Sequence, residues 1–211
     1  AFLAFAAPSA AMSLSPGGTI PSVNTASGPA VPLADGGKAL AVIVLGEAAG
    51  QGAKFAAAEL QKDLQTLSGA QFQIVTEGSS AVTQQALILI GGPEQNHLVK
   101  RALGSGSNSF SSLKTDGLVL KTSRLDKRPV VIAGGNDDAA TMYAVFELLE
   151  RLGVTFRLTG DVLPARQSSL VIPALNLREE PAIAQRGFLV EASHHPSITM
   201  LSGEDYQLSL I

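Results

Sequence analysis

From Lys38 onward the chain alternates between apolar runs of strand length and amphipathic stretches of helix length. ALAVIVLG (39–46) is an apolar, β-branched run closed by Gly46, the pattern of a strand covered on both faces. After it, Ala53, Ala56, Ala57, Leu60, Leu64 and Leu67 recur at helical spacing, and Lys54, Glu59, Lys62 and Asp63 fall between them. This predicts one long helix, with Gly69 as the residue that ends it. QFQIV (71–75) and ALILIG (86–91) predict two more strands, and a short helix is expected from Glu94 to Leu103. DGLVLKT (116–122) alternates apolar and polar, so it should be half buried at an edge, whereas PVVIAGG (129–135) is apolar throughout and should be central. SRLDKR between them predicts a hairpin turn. A second long helix is expected with Asn136 as its cap, Asp137 and Asp138 in its first turn, and Tyr143, Phe146, Leu149 and Leu152 as its core stripe. Gly153 should stop it. A short strand, a polar connection and a further apolar strand starting near Ala184 follow.

The order of these elements predicts an α/β layer: a mostly antiparallel or mixed sheet of about five strands packed by two long helices. With 45% apolar and 16% charged residues over 211 positions, a core of ordinary size is available. The ends of the chain differ from this middle. Residues 1–12 have the apolar stretch and small residues of a secretory signal, or are an Ala-rich tail, and are too short to span a bilayer. Residues 13–37, rich in Ser, Pro, Gly, Thr and Ala, are expected to be a disordered linker, with order beginning at Lys38. A net charge of −3 without basic clusters argues against nucleic acid. The absence of cysteine removes thiol chemistry and suits either a reducing compartment or export without disulfides, here a secreted or periplasmic setting.

Several segments could carry chemistry. GEAAGQG (46–52) stands between a strand and a helix, where a dinucleotide fingerprint would hold a pyrophosphate, but Gly46, Gly50 and Gly52 do not match G-x-G-x-x-G. No acid ends the second strand where a ribose needs one; Glu77, the nearest, stands in a turn. AGGND (133–137) is a tight strand-to-helix turn, and Asp137 and Asp138 there would repel an anion. His97 should be a surface residue, and the adjacent His194 and His195 lack a third ligand at metal-binding spacing, even counting Glu191. Ser193 lacks the glycines of a hydrolase elbow. The acid pairs 137–138, 179–180 and 204–205 read as helix starts and a connection, and none as a general acid with its base across a cleft. No metal and no cofactor is called for.

FAAAELQKDLQTLSGAQFQIV, ALILIGGPEQ, DGLVLKT, PVVIAGGNDDAATMYAVFELLERLGVTF and LVIPALNLREEPAIAQRGFLVEASHH together resemble one known arrangement. It is the N-terminal α/β domain that precedes the catalytic (β/α)8 barrel in family 20 β-N-acetylhexosaminidases and in α-glucuronidases, with family 20 nearest. The resemblance covers residues 38–195 and implies a carbohydrate substrate bound through a barrel. Arg186, before Gly187, matches the arginine on the first barrel strand that binds sugar hydroxyls; a guanidinium fork suits that task, and a structural ion pair is the alternative. Glu191, Ser193 and His195 match polar residues after that strand, while His194 replaces a usual arginine. The catalytic acids of either branch would lie past residue 211.

The expectation is therefore an accessory domain over 38–174, with 175–211 as a linker and the first strand and helix of a truncated TIM barrel. Catalytic residues are expected to be absent, and the domain should pack intramolecularly against the barrel. The rival is a free-standing carbohydrate-binding or scaffold module. No Trp, two Tyr and eight Phe leave little for the stacking platform it would need.

Overall fold

The computed structural model describes residues 28–80, 85–104, 109–157 and 159–183. The α/β expectation holds. The main sheet has six strands in the order β4-β3-β5-β7-β6-β9. Here β3 is Ala41–Leu45, β4 Ile74–Thr76, β5 Ala86–Ile90, β6 Leu118–Leu125, β7 Arg128–Gly135 and β9 Asn176–Glu179. The first four in that order are parallel; β6 is antiparallel to both of its neighbours. Odd and even positions of the central strands separate cleanly. Ala41, Ile43, Leu45, Ile88, Ile90 and Val131 face α1 (Gln51–Ser68) and α3 (Asp138–Arg151). Val42, Val44, Leu87, Leu89, Val130 and Ile132 face the short α2 (His97–Leu103) through Leu98, Val99 and Ala102. Burial on both faces is why these strands read as unbroken apolar runs.

Order begins ahead of Lys38. Val31–Asp35 is a strand, β1, in a second sheet of order β2-β1-β8, with β2 Lys38–Ala39 and β8 Ser169–Ile172. Val31 pairs with Ile172 and Asp35 with Ser169. Val31 and Leu33 are fully buried in the same core as α1 and α3, and that burial outweighs the Pro and Gly around them. The disordered linker expected over 13–37 therefore cannot extend past residue 30. The far boundary moves as well. Leu175 exchanges hydrogen bonds with Thr122, and β9 closes the sheet on β6, so the domain runs to Glu179 and not to Ala174. β9 also takes the edge expected of the 116–122 segment, leaving Leu118, Val119 and Leu120 buried.

The long helices form as predicted, with local corrections. α1 buries the six expected apolar residues and ends at Gly69, whose φ of 72° needs a glycine. In α3 the stripe is turned: Ala140, Ala144, Val145, Leu148 and Leu149 are buried, while Tyr143 is 40% exposed. Small residues are what two helices packed side by side admit, and α1 presents Ala53, Ala56 and Ala57 in return. Phe146 and Leu152 pack at the margin, Phe146 edge-on to Phe156 at 5.0 Å. The cap of α3 is Asp137, whose Oδ1 accepts from Ala140 N–H, and not Asn136, which donates instead to the carbonyls of Leu113 and Lys114. α2 starts later than Glu94, at His97, capped by Asn96. The β6–β7 hairpin closes on Asp126 and Lys127, both at positive φ, the pair of angles a two-residue type I′ turn requires.

Candidate functional site at the carboxyl rim of the sheet

β3, β5 and β7 end together at Leu45, Ile90 and Gly135. β4 and β5 flank β3 on opposite sides, so the order reverses between β3 and β5, the place where open α/β sheets collect ligands. The rim there is built from glycines. A Cβ on Gly46 would stand 1.7 Å from the Gln95 carbonyl oxygen, and one on Gly134 2.1 Å from that of Gly91. Gly46 and Gly134 thus let backbone segments touch one another, while Gly50 and Gly52 make room for the Asp138 carboxylate.

Four polar side chains organise this rim, each bonded to protein. Asp138, in the first turn of α3, accepts from the N–H groups of Gly52 (2.6 Å) and Ala53 (3.0 Å) at the start of α1, whose own cap residue Gly50 has no side chain to offer. Its carboxylate occupies the seat a bound anion would take. Asn96, fully buried, donates to the carbonyls of Val44 and Ile90 and accepts from Leu98 N–H at 3.0 Å. Glu77 accepts from Glu47 N–H (3.0 Å) and His97 N–H (2.6 Å), with the His97 ring at 3.2 Å. Burial pushes the Glu77 carboxyl up, but those donors outweigh it and hold the group below the usual carboxylate range. Asp137 joins Ala140 N–H to Asp116 N–H.

Two cavities open on this rim. One of about 170 Å³ lies at the reversal between Gly50, Ile90, Gly91, Asp138 and Thr141. The other, of about 360 Å³, is walled by Pro93, Leu103 and Phe110, with Gln95, Ser111 and Asn136 among its polar groups and Lys100 and Glu94 also lining it. Away from the rim, Glu147, Glu150 and Glu179 gather around Arg151. Burial and the charge of Glu147 raise the carboxyls of Glu150 and Glu179, while Arg151 bonds Glu147 at 2.7 Å. Asp63 on α1 is 2% exposed and its Oδ2 has no hydrogen-bond partner; burial raises its carboxyl.

Arg186, Glu191 and His195, with Ser193, His194, the 204–205 acids and the strand expected from Ala184, lie outside the described residues. His97 is exposed as expected, yet it is tied to Glu77. The roles of Asp138, Asn96 and Glu77 were missed because they act across the chain, Asp138 over 86 positions from Gly52. Only Asn96 left a local signal, an Asn just ahead of an apolar helical run. Among the described residues no group of three His, Asp or Glu could hold a metal, and no helix is long and apolar enough to cross a membrane.

Residues 35–148 match the family model described as glycosyl hydrolase family 67 N-terminus. Among solved structures, the fold matches a family GH115 4-O-methyl-α-glucuronidase, BtGH115A, described as specific for decorated arabinogalactans. The TM-score is 0.51 at 22% identity, and the match covers 71% of this chain but 18% of that one. No curated protein matches the chain.

Proposed function

The chain belongs to the family described as glycosyl hydrolase family 67 N-terminus, and from that premise we propose that it is the accessory α/β domain of an α-glucuronidase acting on a decorated polysaccharide. The family match over 35–148 carries this reading. The rim chemistry agrees with it, since Asp137, Asp138 and Glu77 each accept hydrogen bonds from backbone N–H groups, a structural task that competes with service as a glycosidase acid. Cleavage then falls to acids on polypeptide beyond this domain. The domain itself spans 31–179, and residues 184–211 lead into the catalytic part, with Arg186 donating to sugar hydroxyls and Glu191 and His195 beside it. The family 20 branch, drawn from the same resemblance over 38–195, gains no support from the family match.

The test has two arms. The 211-residue chain should release no sugar from an aldobiouronic acid or from p-nitrophenyl N-acetylglucosaminide, while the full-length parent protein should act on the first substrate. Turnover by the 211-residue chain would sink the accessory reading, and parent activity on the second substrate alone would favour family 20. Arg186→Ala in the parent should raise KM for the uronide at least tenfold; an unchanged KM would leave Arg186 a structural ion pair. Export is part of the proposal, and recovery of the parent solely from the cytosolic fraction would remove it.

A further inference from the structure

The polar groups of the rim divide into two sets. Asp137, Asp138, Glu77 and Asn96 are all bonded to the protein's own backbone. Three that line the larger cavity are not. Among the described residues the side chains of Glu94, Gln95 and Lys100 have no hydrogen-bond or ion-pair partner, although Arg101, beside Lys100, is paired with Asp126 at 2.8 Å. The cavity lies between the loops that follow β5 and β7. One wall comes from the 93–95 turn and from α2, where Lys100 and Leu103 share a face at i, i+3 spacing. Another comes from Phe110 and Ser111, and its loop is tied in place. Arg178 donates to the Ser111 carbonyl at 2.9 Å, and Asn136 directs its amide hydrogens to the carbonyls of Leu113 (3.1 Å) and Lys114 (2.8 Å). That leaves Asn136 its Oδ1 as an acceptor.

We propose that this cavity is a non-catalytic carbohydrate site that takes one acidic sugar ring, a hexuronate. Size selects a single ring: about 360 Å³ stands at the low end of the roughly 300–1,000 Å³ of small-ligand pockets, and the neighbouring cavity of about 170 Å³ falls below it. Pro93, Leu103 and Phe110 supply apolar surface for the C–H face of a pyranose. Gln95, Ser111 and Asn136 supply donors and acceptors for its hydroxyls, Glu94 accepts from one more, and Lys100 meets the carboxylate. Glu94 and Lys100 then gain partners that the described fold does not give them. The anion is held by a side-chain ammonium and not by the helix-start amides, which are already engaged. A polysaccharide decoration held here stays at raised effective concentration for the catalytic part. Sugar as the ligand rests on the glycosidase reading above; the cavity and its unpartnered groups do not.

The test titrates sodium D-glucuronate into the 211-residue chain and follows backbone amide shifts by NMR. A ligand of about a dozen heavy atoms at ordinary efficiency binds with a Kd on the order of 1 mM. Saturable shifts should centre on Gln95, Lys100 and Ser111, and D-glucose, which lacks the carboxylate, should bind at least about fivefold more weakly. Lys100→Met, which keeps the stem and removes the ammonium, should lower the affinity for glucuronate about fivefold and leave that for glucose unchanged. Glu94→Gln should weaken both sugars about threefold. Both positions are exposed, so neither variant threatens the fold. No saturation by about 20 mM, equal affinity for the two sugars, or a Lys100→Met chain that binds glucuronate unchanged overturns the proposal. Binding by the chain together with a parent inactive on uronides would uphold the site and sink the functional reading. An active parent whose 211-residue chain shows no binding would do the reverse.

Discussion

Removing the Asp138 carboxylate should loosen α1, a helix to which Asp138 does not belong. The carboxylate supplies two charged hydrogen bonds to α1 amides, at 2.6 and 3.0 Å, and lies at the positive end of both helices. Loss of a helix cap costs about 0.5–2 kcal/mol, and a first-turn charge about 0.3–1 more. Asp138→Ala is therefore expected to cost about 1–3 kcal/mol, read by urea denaturation followed by far-ultraviolet circular dichroism. The sharper test is Gly52. Gly to Ala inside a helix gains about 1 kcal/mol, but here the new Cβ would lie 2.9 Å from Asp138 Oδ2 and force the carboxylate off its bonds. In the native background Gly52→Ala should be neutral or destabilising. In the Asp138→Ala background the closest remaining contact is 3.3 Å, to the backbone oxygen of residue 138, which a small shift relieves; there the same change should stabilise by about 0.5–1 kcal/mol. The coupling should reach at least about 1 kcal/mol. Additive effects would mean that Asp138 does not hold the start of α1.

Three further outcomes follow from the buried polar groups. Asn96→Asp should be worse than Asn96→Ala, although Asp is a good helix cap, because the second carboxylate oxygen would face the carbonyls of Val44 and Ile90; a loss above about 3 kcal/mol is expected by chemical denaturation. Glu77 has a depressed carboxyl, so its contribution is present above the unfolded-state pKa near 4.3 and disappears as pH falls through the lower folded value. Glu77→Gln should thus cost about 1–2 kcal/mol at pH 7 and little in strong acid, and a pH-independent cost would refute the linkage. Asp63 runs the opposite way: its folded carboxyl is raised, so stability falls as pH rises from about 4 toward that raised value. Asp63→Asn should stabilise by about 1 kcal/mol at pH 7 and flatten the profile, with equal urea midpoints for both proteins at pH 7 as the contrary result.

What could be read from the sequence was whatever the local period records. β3, β5 and β7 were visible because burial on both faces leaves no polar position, and α1 because its apolar spacing is regular to Leu67. The α3 stripe was misplaced for a physical reason: hydrophobicity points to the large Tyr143 and Phe146, whereas close packing against α1 selects Ala140 and Ala144. β1 escaped because five residues among Pro and Gly carry no period of their own, and its partner β8 lies more than 130 positions away. Asp137 and Asp138 looked alike, adjacent acids in one first turn, yet one caps its own helix and the other a neighbour's.

That last difference bears on what the domain does. Parallel strands β3, β5 and β7, with glycine-rich turns and helix N-termini at their carboxyl rim, have the parts of a nucleotide site, but among the described residues amides at each helix start already donate to the protein's own side chains. The start of α1 is closed by Asp138, that of α2 by Asn96 and Glu77, and that of α3 by Asp137. Glu77 stands close to where a ribose-binding acid would, just past the second strand of the sheet, but faces two backbone amides instead. Each of the three helix starts is thus engaged by a side chain of the protein itself. Engaged in this way, the rim has less to offer an anion than its glycine-rich turns suggest, and it is on this rim that β9 leaves the sheet.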